Sequence, residues 1–246
     1  MIRGLYTGAS GLRLQMTRLG ILGNNLANAS TPGYKQDVDA VGSFPQLLLS
    51  RIRDTGQSIG LVGPVGTGAG LREETLDLRQ GHLVDTAKPL DLALVGPGFF
   101  AVQTPEGVRY TRDGSFSRDS NGQLVTAQGY PVLGETGPIT LPDGDPVVKP
   151  DGTIAVNNQP VARLRLLDFP QGTELKKTGD NLLTADGATP ATQASVSQFT
   201  LEASNFDPVN GMIDLMAASR AYETNQRLLQ IQDQTLERAV NDVGRV

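Results

Sequence analysis

The chain has 246 residues, including 29 glycines, 15 prolines and a single histidine, His82, with no cysteine and no tryptophan. Lacking cysteine, it has no disulfide, no thiolate nucleophile and no thiolate metal site, and one imidazole excludes any centre that needs two, so neither metal nor cofactor is expected. A net charge of −5 lacks the basic footprint of a nucleic-acid partner, and catalysis is not expected either.

Residues 1–35 read as a helix followed by a turn. Ile2, Leu5, Ala9, Leu12, Met16, Leu19, Gly23 and Leu26 alternate at spacings of three and four, the a/d pattern of a coiled-coil face. The run Ser30-Thr31-Pro32-Gly33 ends it, with Pro32 and Gly33 suited to the two central positions of a type II turn. Arg13, Arg18, Asn24 and Asn25 interrupt the apolar stretch, so no cleaved secretory signal is read there. No run approaches the roughly 18–20 apolar residues of a membrane span, and the chain is expected not to be membrane-inserted.

Residues 36–84 read as an extended connecting segment, in which the glycine-rich stretch 56–70 is expected to be an extended or mobile linker. From 85 to 190 the texture changes to short runs such as Leu90–Val95 and Phe99–Val102. Among these, Asp113-Gly114, Asn121-Gly122, Asp143-Gly144, Asp151-Gly152 and Asp186-Gly187 recur. Such dipeptides between strand-like runs signal hairpins, and the expectation is a compact all-β domain, a sandwich or open barrel.

Residues 191–246 read as a connector and a long helix over 207–243. Asp207 is a good N-cap and Pro208 fits the first helical position. Met212, Leu215, Ser219, Tyr222, Gln226, Leu229, Asp233, Leu236, Val240 and Val243 keep the three-four spacing. Such a helix would span roughly 55 Å at 1.5 Å per residue.

The two helical ends differ in charge. The first 35 residues carry Arg3, Arg13, Arg18 and Lys35 and no acid, whereas 207–246 carry six acids against four arginines. Opposite signs point to mutual packing, with packing of each helix on the β domain as the alternative. Gly4, Gly8, Gly11, Gly20 and Gly23 weaken the first helix by about 1 kcal/mol each relative to alanine. The N-terminal segment is therefore expected to order only when surrounded, as on assembly. The fold class read from these elements is α+β: N- and C-terminal helices packed as a coiled-coil-like pair, with a central all-β domain.

Few motifs carry chemistry. Gly63–Gly70 has the glycines of a phosphate loop without its lysine or its strand-to-helix setting. Glu73-Glu74 and the Asp143/Asp145 pair lack the spacing of a calcium loop, and turn formation explains the aspartates. Asn28-Ala29-Ser30 matches a glycosylation sequon at a helix end. His82 reads as structural or exposed, and Tyr6, Tyr34 and Tyr222 as interface or core aromatics. A different class, a secreted carbohydrate-binding or hydrolytic protein, would use Asp91, Asp113 and Asp119 as its carboxylates, but the lack of tryptophan and the few tyrosines leave it without aromatic platforms. A third class, a cytosolic coiled-coil adaptor, fits the helices and differs in location.

Three stretches carry a resemblance. Residues 24–35, Asn-Asn-Leu-Ala-Asn-Ala-Ser-Thr-Pro-Gly-Tyr-Lys, are similar to the N-terminal signature of bacterial flagellar rod and hook proteins. Glu202–Asp207 and Ser219–Asn225 resemble the C-terminal signature of that family. Leu90–Phe100, Tyr110–Phe116 and Asn121–Thr126 resemble its β domain. Length sets aside the longer hook subunit and the short proximal-rod subunits without a β domain, which leaves the distal-rod type and its close relative in the proximal rod; the long segment 36–80 favours the distal-rod type. Ser219 and Gly211 depart from the pattern, which has glutamine and an acid there.

The resemblance implies a non-enzymatic subunit of a hollow helical drive shaft in the flagellar basal body, exported by the flagellar type III apparatus without a cleaved signal. It implies self-association, contact with other rod subunits and the hook protein, and an inner tube made by the terminal helices. The expected assembly seams are Ile2, Leu5, Leu12, Met16, Leu19 and Leu26 at the N-terminus, and Met212, Leu215, Tyr222, Leu229, Leu236 and Val240 at the C-terminus. The motif residues carried over are Asn25, Asn28, Thr31, Pro32, Gly33, Tyr34, Asn205, Arg220, Tyr222 and Glu223.

Overall fold

The computed structural model describes residues 2–43, 47–52, 58–66, 68–170 and 172–243. It divides into two units. The helical unit takes in the chain up to Ala27, Asp37–Thr75, and the chain from Pro208 onward; the β unit takes in Asn28–Gln36 and Leu76–Asp207.

In the helical unit, α1 (Ile2–Ala27) and α2 (Pro208–Val243) pack on each other. Gly4 faces Gln232, Gly8 faces Leu229 and Gly11 faces Asn225, so one set of numbers rises as the other falls and the helices run antiparallel. These glycines are close-approach positions. A Cβ on Gly8 would stand 2.7 Å from Leu229 Cδ2, and one on Gly11 would stand 3.3 Å from Asn225 Nδ2. A Cβ on Gly20 or Gly23 would meet nothing within 4 Å beyond its own helix backbone.

The contact line differs from the seam read on apolar spacing. The covered positions of α2 are Gly211, Leu215, Ala218, Ser219, Ala221, Tyr222, Asn225, Leu229, Gln232, Leu236 and Ala239. Leu215, Tyr222, Leu229 and Leu236 belong to both lines, but the alternate members sit one residue earlier and are small or polar. Close approach is the reason: the glycines of α1 leave room against the helix for the Gln232, Leu229 and Asn225 side chains of α2. Leu5, Leu12, Leu19 and Leu26 are half-buried, whereas Met16, Met212 and Val240 are exposed.

The connecting segment is strand rather than linker. β1 (Asp37–Ser43) pairs with β4 (Ala69–Leu76), and β2 (Leu47–Ile52) pairs antiparallel with β3 (Ser58–Val65). Of the expected linker 56–70, residues 58–65 form β3 and 69–70 open β4, while 56, 57 and 67 lie outside the described residues. In the sequence, glycine content masked the pairing of β3 with the preceding strand β2.

The β unit opens with β5 (Leu83–Asp85) and β6 (Leu92–Val95), followed by the hairpin of β7 (Phe99–Thr104) and β8 (Gly107–Thr111). That hairpin is the centre of a six-stranded sheet completed by strands 176–179 and 182–184 on one side and 166–168 and 189–190 on the other. Late segments return to early ones: 195–198 pairs with β6 and 200–202 with β5, both antiparallel. The core gathers Leu92, Leu94, Phe100, Val102, Leu124, Val132, Ile139 and Ile154, with Phe116 edge-on to Phe100 at 5.1 Å. Two hairpins turn on residues the glycine dipeptides did not flag. Asn157 and Asn158 have φ of 52° and 64°, and Asp180 and Asn181 have 50° and 57°, the left-handed pair that a type I′ turn needs and that Asn and Asp tolerate.

The two units differ in how much they bury. Among the described residues, the helical unit places only Ile21, Asn25, Gly211 and Ala218 in the buried class. Gly20→Ala, with open space around it, should raise the helix content of the isolated subunit and stabilise α1 by about 1 kcal/mol. Gly8→Ala should give no such gain, because Leu229 must move first. Far-ultraviolet circular dichroism through a thermal melt separates the two.

Candidate functional site: a buried charge cluster and the exposed helix faces

Residues 28–36 enter the β unit through a tight turn. The Tyr34 amide donates to Thr31 O at 3.3 Å, with Pro32 and Gly33 between them and Gly33 at φ +65°. Glycine is obligatory there for a second reason: a Cβ would collide with the peptide joining Arg112 and Asp113. The Gly33 amide donates to the carbonyl of Glu202 at 2.7 Å, which lays the chain's entry against its exit.

Just past the turn, Lys35 is buried and donates through Nζ to Glu202 Oε1 at 2.6 Å and to Arg79 O at 2.7 Å. Glu202 is 1% exposed and has no idle oxygen. Oε1 also accepts the Gly81 amide at 2.9 Å, and Oε2 accepts Arg112 NH1 at 3.1 Å. Arg112 reaches further, from NH1 to Leu94 O at 3.3 Å and from NH2 to Gly96 O at 2.5 Å, with its guanidinium 5.4 Å from the Phe99 ring centroid. Burial pushes Lys35 below its ordinary value, against the opposing hydrogen bond and charge of Glu202. Burial lowers Arg112 in the same way, again opposed by Glu202. Two cations thus share one carboxylate in a dry site, where such groups persist only when paired and hydrogen-bonded.

Asn205 extends the clasp. Its Oδ1 accepts the Gln36 amide at 2.9 Å, and its Nδ2 donates to Asp77 O at 2.7 Å and Arg79 O at 3.2 Å. Asp77 is held down to about 2, chiefly by the hydrogen bonds from the Arg79 side chain. Tyr34 is buried, with Lys177 Nζ 4.1 Å above its ring. In the helical unit, Asn25 clasps the Asp37 peptide from both sides, donating to its carbonyl at 2.8 Å and accepting its amide at 3.0 Å.

Of the motif residues read from sequence, Thr31, Pro32, Gly33, Tyr34 and Asn205 therefore meet around this cluster, and Asn28 contributes at the start of the turn, where Thr31 Oγ1 donates to its Oδ1 at 3.3 Å. Arg220 and Glu223 belong to the helical unit, exposed on α2, with Tyr222 half-buried between them. The residues that hold the cluster, Lys35, Arg112 and Glu202, sit inside the three quoted motifs, but sequence offers no signal that joins positions 90 and 167 residues apart. The acids considered for hydrolysis have local duties. Asp113 Oδ1 accepts the Ser115 amide and hydroxyl, and Asp119 Oδ1 accepts the Asn121 and Gln123 amides. Among the described residues no cluster of potential metal ligands occurs, and no helix is long and apolar enough to cross a membrane.

Comparison with known proteins follows the same three stretches. The family model described as flagella basal body rod protein matches residues 5–35. That for the flagellar hook protein FlgE/F/G D1 domain matches 93–156, and that for the flagellar basal body rod FlgEFG protein C-terminal matches 197–242. The chain is 33% identical to the flagellar hook-basal body complex protein FlhO of Bacillus subtilis, over all of both chains. It is 34% identical to the flagellar basal-body rod protein FlgG of Buchnera aphidicola from Schizaphis graminum, over 97% of this chain and 98% of the relative. Identity to the rod protein FlgF of Escherichia coli is also 34%, over 97% of each.

Glu202→Gln would leave Lys35 and Arg112 buried without a counter-charge, and should cost about 3–5 kcal/mol of β-unit stability, read as a lowered thermal midpoint. Asp77 adds a pH signature. Its folded value of about 2 lies below the ordinary 3.8, so its stabilising contribution is complete above that range and is lost as pH falls through about 2. Asp77→Asn should flatten the acid limb of the stability profile, measured by denaturant titration at stepped pH.

Proposed function

Because the chain belongs to the family of bacterial flagellar basal-body rod and hook proteins, we propose that it is a distal-rod subunit that stacks helically with its own copies into the hollow shaft carrying torque to the hook. It is a structural, non-enzymatic protein of the flagellar basal body. The observation that carries the self-assembly reading is the contrast in burial between the two units. The β unit has a closed apolar core, whereas Tyr6 and Met16 on α1 and Val209, Ile213, Met216, Leu228, Ile231 and Val240 on α2 face solvent. Apolar side chains repeated along two paired helices are surface held for partners.

The seam residues, Ile2 to Leu26 on α1 and Met212 to Val240 on α2, are assigned to coiled-coil-like contacts within and between subunits. Adjoining rod subunits and the hook protein are the further partners, and the flagellar export apparatus is the route out. The buried cluster is assigned the task of anchoring both ends of the β unit, with Arg220 and Glu223 left for contacts outside it. The distal reading rests on the length of the segment 36–80 before the β domain, as the resemblance implied. The equal identity to FlgG and FlgF sustains the proximal rod as the second reading.

Expression in strains lacking either the distal or the proximal rod subunit decides between them: restored swimming is expected only in the first, and rescue of the second alone would reassign the subunit. Within the rescued strain, replacing Leu229 and Leu236 together by Asp should abolish rod growth while the β unit stays folded. In the free monomer, amides of α1 and α2 should exchange with deuterium rapidly and those of the β unit slowly. In isolated rods both should be protected. Slow exchange of α1 in a verified monomer would show that the helix pair is stable without neighbours.

A further inference from the structure

The hairpin 176–184 joins the central sheet of the β unit by a single rung. Strand 182–184 pairs with β8 only through Leu183 and Tyr110, although strand 176–179 stays paired with it as far as Thr184. The neighbouring strand β7 fixes where the backbone groups of β8 point. The Gln103 amide donates to Pro131 O at 2.8 Å, outside the β7–β8 ladder. Gln103 and Val108 therefore face each other as a non-hydrogen-bonded pair, and the N–H and C=O of Val108 point away from β7. The next rung outward would join Val108 to Ala185, and it is not formed. Arg109 Nη1 donates to the Val108 carbonyl at 3.3 Å, which leaves the Val108 amide without a ladder partner.

Where the two strands part they leave an open cleft of about 490 Å³, within the range of small-ligand sites. Val108 and Tyr110 line it from β8, Ala185 and Asp186 from the opposite strand, and Thr173 adds a hydroxyl. Tyr110 is half-buried, and its ring is held edge-on to Phe169 with centroids 4.9 Å apart. The other charges at the rim satisfy one another: Lys176 pairs with Glu174 at 3.2 Å, and Arg109 with Glu106 at 3.2 Å. Asp186 is exposed and makes neither hydrogen bond nor ion pair among the described residues. A ligand here meets a backbone donor, a fixed aromatic ring and one carboxylate ready to accept hydroxyls.

We propose that this cleft binds an N-acetylated amino sugar. Its acetamido group would take the place of the missing rung, accepting from the Val108 N–H and donating to the Ala185 carbonyl. The apolar face of the pyranose ring would lie against Tyr110, and a ring hydroxyl would donate to Asp186. An extended peptide fits less well, because strand addition needs a run of outward backbone groups. The open edge of β8 ends one residue beyond Val108, where Gly107 meets the turn at 105–106, so it offers pairing to one amide and not to a series. The acids weighed from sequence for a carbohydrate site, Asp91, Asp113 and Asp119, take no part. The cleft lies wholly within the β unit and is independent of the rod reading.

The test titrates the full-length chain with N,N′-diacetylchitobiose and follows the backbone amide resonances of Val108 and Ala185. Cellobiose is the control, since it has the same rings and linkage with hydroxyls in place of the acetamido groups. Diacetylchitobiose should shift both resonances with a dissociation constant on the order of 1 mM, and cellobiose should bind about tenfold more weakly or not at all. Asp186→Ala, with β-unit folding checked by its thermal melt, should weaken diacetylchitobiose about tenfold. The proposal is overturned if both amides stay unmoved, if cellobiose binds as well, or if folded Asp186→Ala binds as the parent does. It is overturned equally if acetyl-alanine N-methylamide, a peptide amide without a sugar ring, matches diacetylchitobiose. None of these results bears on the rod reading, which the swimming assay tests separately.

Discussion

Everything in the β unit that concerns the course of the chain depends on the carboxylate of Glu202. It is buried and takes Lys35, Arg112 and the Gly81 amide at once, so the residues that begin the unit, its central hairpin and the residues that end it share one acceptor. Desolvating three charges is costly, and such a group is a poor source of net stability by itself. Its value lies in discrimination. A register shift in strand 200–202 or a different turn at 31–34 would strand at least one cation in an apolar site. The two glycines beside it enforce the same outcome sterically, since a side chain on Gly33 or Gly81 would meet backbone.

The helical unit is built on the opposite principle. Its pairing surface joins glycines to leucine and amide side chains, and many of its large apolar side chains stay at the surface. Glycine in a helix raises the entropy lost on folding, and close approach of the two axes returns only dispersion contacts. A helix pair of this kind gains most when further surfaces cover it. A folded β unit joined to helices that are completed by neighbours suits a subunit that must stay separate until it reaches its place and then become rigid.

Much of this was legible in local pattern. The helix limits, the Pro32-Gly33 turn and several hairpins follow from rules that act over a few residues, such as capping, fixed φ at proline and positive φ at glycine. The Asn157-Asn158 and Asp180-Asn181 turns were locally encoded as well, but in residues with many other uses, so they stood out less than the Asp-Gly pairs. The strands between 37 and 76 were not legible, because glycine-rich composition argues for a loop even where, as in β3, the chain pairs with the strand just before it.

Spacing of apolar residues settled that two amphipathic helices flank a β-rich middle, since periodicity reflects the geometry of a single element. It did not settle which residues touch. Apolar size favoured Met212 and Val240 on the seam, whereas close packing against glycine selected Asn225, Leu229 and Gln232. Opposite helix charges predicted attraction within the chain, yet among the described residues no ion pair joins the two helices. The charge cluster lay furthest from view. Lys35, Arg112 and Glu202 are ordinary charged residues until strands 167 residues apart are brought side by side, and only a dry interior gives their pairing its force.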